Sequence, residues 1–257
     1  MAIGKEIGRA RRLGLVNYAL YRRMRLRNRI FKVANLIGPA RHECPCCGWR
    51  GMRFLDYVRE TAIVEASVCP RCRGHARHRA LAVYLEEVMR GLPERAAILH
   101  FAPERAFARA FAAHPRHRYA GVDIGARAIS ARADITAIPF RSGAFDLVLS
   151  SHVIEHVENE RAALLEIARV LAPSGRALIM APMVRGWETM PTVEFGRANF
   201  QGHWRQYGCD LTARIGAAGL GCAVVRPTEN LVPELRRRYG LDQAPLFVAR
   251  KPVRTDS

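Results

Sequence analysis

From Ala97 onward, short apolar runs alternate with segments of helical period. Ala97–Phe101, Tyr119–Val122, Phe145–Ser150, Arg176–Ala181, Cys222–Val225 and Leu246–Ala249 have strand length and near-continuous apolar character. That pattern is expected of strands covered on both faces. The stretches 105–113, 160–171 and 210–218 between them have helical spacing. The alternation predicts an α/β fold, a Rossmann-like, mostly parallel sheet with helices on both faces. Upstream, Leu81, Tyr84, Leu85 and Val88 form one stripe of a helix over 75–90, stopped by Gly91 and Pro93. Residues 1–41 carry a partly helical pattern, read as one or two helices ended by Gly38-Pro39. The predicted organisation is a basic helical arm (1–41), a small zinc-ribbon-like module (42–74) and the α/β domain (75–251). The irregular stretch of about 184–208 is expected to be a substrate lid.

Charge changes the picture of the arm. The chain is strongly basic, with a formal net charge of +18. Residues 1–41 hold eleven basic residues, Lys5, Arg9, Arg11, Arg12, Arg22, Arg23, Arg25, Arg27, Arg29, Lys32 and Arg41, against the single acid Glu6. Such a cluster attracts phosphate, on RNA or on an anionic membrane surface. An abundance of Arg and Ala with scarce Lys is also what GC-rich coding produces. No run reaches the ~18 apolar residues of a membrane span, and the N-terminus lacks the apolar core of a secretory signal. A cytoplasmic protein is expected, with peripheral attachment at the inner face of the membrane through the arm left open.

Seven cysteines in such a chain point to metal ligands or buried thiols rather than disulfides. Cys44-Pro-Cys-Cys47 and Cys69-Pro-Arg-Cys72 form two C-x-x-C pairs, 21 residues apart. Each such turn aims two thiolates at one point, and two turns complete a tetrahedral S₄ site, as for structural zinc. Cys44, Cys47, Cys69 and Cys72 are therefore the expected ligands. Cys46 could replace a neighbour or remain a spare thiol.

Four further motifs follow: ILHFAPER (98–105), YAGVDIG (119–125), ADITAIPFRSGAFDLVLSSHVIEHV (133–157) and RVLAPSGRALIMAPM (169–183). Their order resembles class I methyltransferases that use S-adenosylmethionine, of the type 11-like kind. With the second knuckle, the GHARHR stretch at 74–79, the L-H-x-A-P-E loop and the GHWRQYGCD stretch at 202–210, it resembles a bacterial group carrying an N-terminal four-cysteine zinc knuckle. The resemblance covers roughly residues 42–250.

Asp123 closes its strand where a carboxylate can accept from both ribose hydroxyls of a nucleoside, at the spacing expected after the first loop. The resemblance gives it that role and sets Asp134 and Ile135 against adenine. It extends the cofactor site to His100, Phe101, Ala102, Pro103, Glu104, Ile124 and Ser151. The first loop departs from the family pattern, because His100 replaces the usual acid and Ala102-Pro103-Glu104 the usual glycines. Glu104 is the residue expected to face the methionine ammonium. The short gap between Asp123 and Asp134 predicts a trimmed sheet edge.

His152-Val-Ile-Glu155-His156 also matches the inverted zinc-protease motif H-x-x-E-H. That motif needs a long helix, whereas this pentad directly follows a strand. In the methyltransferase reading, His152 or His156 could act as base, and so could His203 toward a hydroxyl acceptor. Trp187, Arg205 and Tyr207 are the expected substrate contacts. The reading is in-line methyl transfer to an O or N acceptor on a small molecule or saccharide-type substrate. An RNA methyltransferase holding the phosphate backbone and a non-catalytic zinc-bearing scaffold are the alternatives.

Overall fold

The structure is a computed structural model that describes residues 2–59, 62–125, 130–199 and 201–252, with side chains from Tyr18 onward. Lys5, Arg9, Arg11 and Arg12 thus lie outside the described side chains. In chain order come helix α1 (Ala2–Ile37) and strands β1 (His42–Glu43), β2 (Arg50–Gly51), β3 (Leu55–Arg59) and β4 (Ala62–Val68). Helix α2 (Ala76–Arg90), β5 (Ala97–Phe101), α3 (Ala108–Ala112), β6 (Arg118–Asp123), β7 (Ala131–Arg132) and β8 (Phe145–Ser151) follow. The last elements are α4 (Glu160–Val170), β9 (Leu171–Met180), β10 (Val193–Glu194), β11 (Arg205–Gln206), α5 (Leu211–Gly216), β12 (Gly221–Val225), α6 (Pro233–Tyr239) and β13 (Leu246–Arg250). They divide into two compact units, one of residues 1–86, 105–110 and 228–243, the other of 87–104, 111–227 and 244–257.

The first unit is built on α1 and two small hairpins, β1–β2 and β3–β4. Two asparagines two helical turns apart dock the helix. Asn28 exchanges both amide hydrogen bonds with the backbone of Asp56, each 2.8 Å, and Asn35 does the same with Arg53 at 2.9 and 2.8 Å. The amides satisfy strand groups that a helix surface otherwise leaves unpaired. Asp56, buried, is neutralised by Arg27 at 2.8 Å and Arg53 at 3.2 Å, and Arg53 stacks on Phe31. The second half of the basic arm is therefore part of this unit's packing rather than a loose tail, and Arg27 is already paired inside it.

The second unit holds a seven-stranded sheet of order β12-β13-β9-β8-β5-β6-β7. Strands β7, β6, β5, β8 and β9 are mutually parallel, and β13 runs antiparallel to both neighbours. The buried core gathers Leu99, Val148 and Ile179 of the central strands with Leu164 and Ile167 of α4 and Leu211 and Ile215 of α5. β7 has only two residues, so the predicted trimming leaves a stub of a strand. β9 starts at Leu171, five residues before the predicted run, because Leu171 pairs with Phe145 ahead of a register shift. Helix α6 escaped the periodicity: no residue in it is buried, although Pro233 at its start and the left-handed Gly240 at its end are strong boundary signals.

Candidate active site and metal centre

The cysteine pairs converge within the first unit. One sulfur from each of Cys44, Cys47, Cys69 and Cys72 lies within 4.8 Å of the others. Cys44 to Cys72 and Cys47 to Cys69 are both 3.7 Å. A tetrahedron with ~2.3 Å zinc–sulfur bonds has edges of ~3.8 Å, so the spacing fits a metal thiolate shell. Both knuckles turn the same way. Cys47 and Gly48 donate to the Cys44 carbonyl, Arg73 donates to that of Cys69, and Gly74 N–H reaches the Cys72 sulfur at 3.4 Å. Gly48 (φ +70°) and Arg73 (φ +64°) occupy equivalent left-handed positions. Glycine adopts this conformation without the strain that Arg73 carries at the second, and leaves room for the Arg109 guanidinium beside it. Cys46 is buried but turned aside, its thiol donating to the His78 carbonyl.

The sequence motif at 74–79 acquires a physical role here that periodicity could not supply. Arg79 is fully buried, donating to the carbonyls of Ser67, Gly74, Tyr239 and Gly240, with its guanidinium 3.7 Å from the Phe54 ring centre. Burial lowers its pKa, and the nearby Cys44, Cys46 and Cys69 sulfurs oppose that shift.

In the second unit the chain leaves β5 in one direction along the sheet and returns on its other side at β8. Ligands of open parallel sheets bind at such a switch point, beyond the carboxyl ends of the strands. A cavity of about 580 Å³ lies there. Phe101 and Ala102 after β5, Val122 to Ile124 after β6, Ala133 to Thr136 after β7, and His152 to Asn159 after β8 supply its walls. Eight of the expected residues thus share one cavity: Phe101, Ala102, Asp123, Ile124, Asp134, Ile135, His152 and His156.

Asp123 Oδ1 accepts the Gly125 N–H at 2.7 Å, and Asp134 Oδ1 accepts both the N–H and hydroxyl of Thr136 at 2.8 Å. Among the described residues, no donor reaches the second oxygen of either carboxylate. Ala102 takes φ +47° while its N–H continues the ladder to Val122, so it adopts the conformation that glycine serves elsewhere. His100 is buried, with Nε2 2.7 Å from Glu104 and Nδ1 2.9 Å from the Tyr119 hydroxyl. Burial, and then the Glu104 charge, raise the Tyr119 pKa. His100, Pro103, Glu104 and Ser151 are outside the cavity lining; Ser151 is buried, and no partner reaches its hydroxyl among the described residues.

His152 also has positive φ, +55°, and its N–H bonds to Met180, extending the β8–β9 ladder by one residue. Its Nδ1 lies 3.0 Å from Oε1 of the fully buried Glu155. His156 Nδ1 meets the Gly202 carbonyl at 3.0 Å, and the His203 ring packs edge-on against His156. The H-x-x-E-H pentad contains a single 3-10 turn, Ile154–His156, in place of the long helix a zinc protease needs.

The stretch 184–208 is pinned at both ends. The Val184 N–H donates to the Tyr207 carbonyl at 2.8 Å, and β10 pairs with β11. Arg205 is buried, bound to the carbonyls of Val157 and Glu158 at 2.6 and 2.8 Å and to Glu194 at 2.9 Å. Tyr207 is buried with its hydroxyl donating to Glu160 at 2.6 Å. Trp187 packs edge-on against Phe247. The three expected substrate contacts thus have internal partners and do not line the cavity.

Residues 102–179 match the family described as Methyltransferase domain. The uncharacterized protein YafE of Escherichia coli K12 is 40% identical over 50 residues, 20% of this chain and 24% of that protein, so the match spans about a quarter of its length. Among solved structures, the complex between the Haloferax volcanii Trm112 methyltransferase activator and a methyltransferase contains a similar chain. It has a TM-score of 0.52 and 16% identity over 68% of this chain and 90% of that one. The YcgJ protein of Bacillus subtilis reaches a TM-score of 0.49 at 15% identity, over 68% and 99%. The stretch that matches the family contains the cavity rim from Ala102 to Asn159, and the sheet around it has the Rossmann-like methyltransferase fold.

Proposed function

We propose that this chain is an S-adenosylmethionine-dependent methyltransferase acting on an O or N acceptor of a small molecule or saccharide-type substrate. The observation that carries the reading is the cavity at the switch point, with Asp123 and Asp134-Ile135 on one side and the His152–His156 turn on the other. Bound there, the cofactor would supply an electrophilic sulfonium methyl group. Asp123 would accept from ribose hydroxyls, Asp134 from the exocyclic amine of adenine, and Ile124 and Ile135 would pack on its ring. His152 is the group best placed to take a proton from an acceptor hydroxyl. It faces the cavity, and with Glu155 accepting from Nδ1–H, Nε2 is the basic nitrogen. The four-cysteine cluster would hold structural zinc, its closed shell leaving no position for substrate.

Calorimetry with S-adenosylmethionine and its demethylated product tests this reading. Both are expected to bind, and Asp123→Ala is expected to weaken both at least about tenfold, the loss of ~1.4 kcal/mol or more of charge-assisted hydrogen bonding. Absence of binding by the intact protein would return the chain to the scaffold alternative.

A second reading, an RNA substrate, draws on α1. Arg22, Arg23, Arg25, Arg29 and Lys32 are exposed on one continuous helix. Phosphate-driven RNA binding would weaken steeply as salt rises. An affinity that ignores salt would remove this reading while leaving the first intact.

A further inference from the structure

We infer that Glu155, His156 and His203 form a second metal site, for a divalent d-block cation, beside the cavity and separate from the cysteine cluster. One ligand atom from each lies within 4.8 Å of the others. A tetrahedral shell with bonds of ~2.1 Å to nitrogen or oxygen needs separations of ~3.4 Å. Closing the set therefore takes side-chain movements of about an ångström or less.

Three further features distinguish this cluster from a chance grouping. Glu155 is fully buried, and while Oε1 faces His152, no hydrogen-bond donor reaches Oε2 among the described residues. A buried carboxylate oxygen without a donor is unfavourable unless a proton or a cation satisfies it. His156 is set in the form a metal requires. With Nδ1–H donating to the Gly202 carbonyl, Nε2 carries the lone pair, the arrangement by which metal-bound imidazoles are oriented. The turn bearing His203 is itself fixed: Asn199 Oδ1 accepts the His203 N–H at 3.0 Å, and its backbone bonds close the loop at Gly202 and His203. Gly202 has φ +78°, a left-handed conformation that strains other residues, and it lies against the His156 ring.

Two imidazoles and one carboxylate suit Zn²⁺, Fe²⁺, Co²⁺ or Ni²⁺ better than Mg²⁺ or Ca²⁺. Only three protein ligands are present, so positions remain open. Since His156 is also a cavity wall, an oxygen or nitrogen donor of a bound small molecule could complete the shell. A hydroxyl bound there would be more acidic than in water. The site rests on its own side chains and does not depend on the methyl-transfer reading.

The test uses full-length protein stripped by a chelator and titrated with Co²⁺. Two equivalents are expected, one with sulfur charge-transfer absorption in the near ultraviolet and one with weak visible bands alone. His203→Ala and Glu155→Gln should each lose the second equivalent while keeping the sulfur absorption. Uptake by the unaltered protein of only the thiolate-bound equivalent would overturn the proposal, whatever the variants do, and would assign Glu155 a proton instead. Retention of the second equivalent by a folded His203→Ala protein would also overturn it.

Discussion

His100 Nε2 stands 2.7 Å from Glu104 Oε2, so the two residues that replace the acid and the glycines of the first loop are partners of each other. The buried imidazole accepts from the Tyr119 hydroxyl on one side and donates to Glu104 on the other, at 2.9 and 2.7 Å. Glu104→Ala is expected to destabilise the protein by about 1–3 kcal/mol, the cost of leaving a buried donor without its acceptor. Glu104→Gln keeps an acceptor oxygen and should retain most of that stability. If Glu104 also faces the cofactor's ammonium, the Gln variant should still lose affinity for S-adenosylmethionine. Urea denaturation reads the first effect and calorimetry the second.

Arg79 makes the analogous case for the first unit. Four carbonyls and an aromatic face surround its guanidinium, and no carboxylate is bonded to it among the described residues. Lysine has neither the planar fork nor the stacking surface. Arg79→Lys should therefore cost about 3 kcal/mol or more, in the range of broken buried polar networks. An unchanged urea midpoint with an unchanged slope would show that lysine reproduces the clamp.

Both residues mark where sequence reading ended. The strands of the parallel sheet were legible because burial on two faces leaves near-continuous apolar runs such as Ala97–Phe101 and Phe145–Ser150. Asp123 and the cysteine pairs were legible because their chemistry is local, a strand end or a two-residue spacing. The partners of His100, Arg79 and Arg205 were not, since each bond joins the residue to a loop or strand whose position depends on the folded chain. Arg205 and Tyr207 show what the sequence left out. Polar side chains in an irregular stretch resemble substrate contacts, yet burial and the Val157, Glu158 and Glu160 partners make them internal braces. The charge pattern of 1–41 likewise gave no sign that Asn28 and Asn35 would dock the helix.

The cysteine cluster distinguishes Cys46, inside the first C-x-x-C turn, from Cys69, which opens the second. Cys46 bonds to the His78 carbonyl and borders the Cys44 and Cys72 sulfurs without belonging to the mutually close set of four, whereas Cys69 lies within that set. Cys46→Ala is expected to keep cobalt–thiolate absorption, with a stability loss of about 1 kcal/mol for one hydrogen bond and a small cavity. Cys69→Ser should weaken that absorption, since three thiolates remain in place of four, and chelation of the unaltered protein should lower its melting temperature. An undiminished thiolate band in Cys69→Ser would mean that Cys46 had taken its place.

Asp210 gives the acid limb of the stability profile a specific cause. Burial acts to raise its pKa, but hydrogen bonds from Thr192 and Arg214 outweigh it and hold the value at about 2. The Thr192 hydroxyl and N–H bond to Oδ1 at 2.6 and 2.8 Å, and Arg214 bonds to Oδ2 at 2.7 Å. A carboxylate depressed below its ordinary 3.8 contributes stability that is fully present above that value. The contribution declines as pH falls toward the folded value of about 2. Since Thr192 and Asp210 flank the β10–β11 stretch and Arg214 reaches Glu160 and Glu194, protonation should loosen that stretch first. Melting temperatures measured across this window are expected to fall more steeply for the unaltered protein than for Asp210→Asn. The Asn variant starts less stable at neutral pH, and parallel slopes for the two proteins would remove Asp210 as the cause.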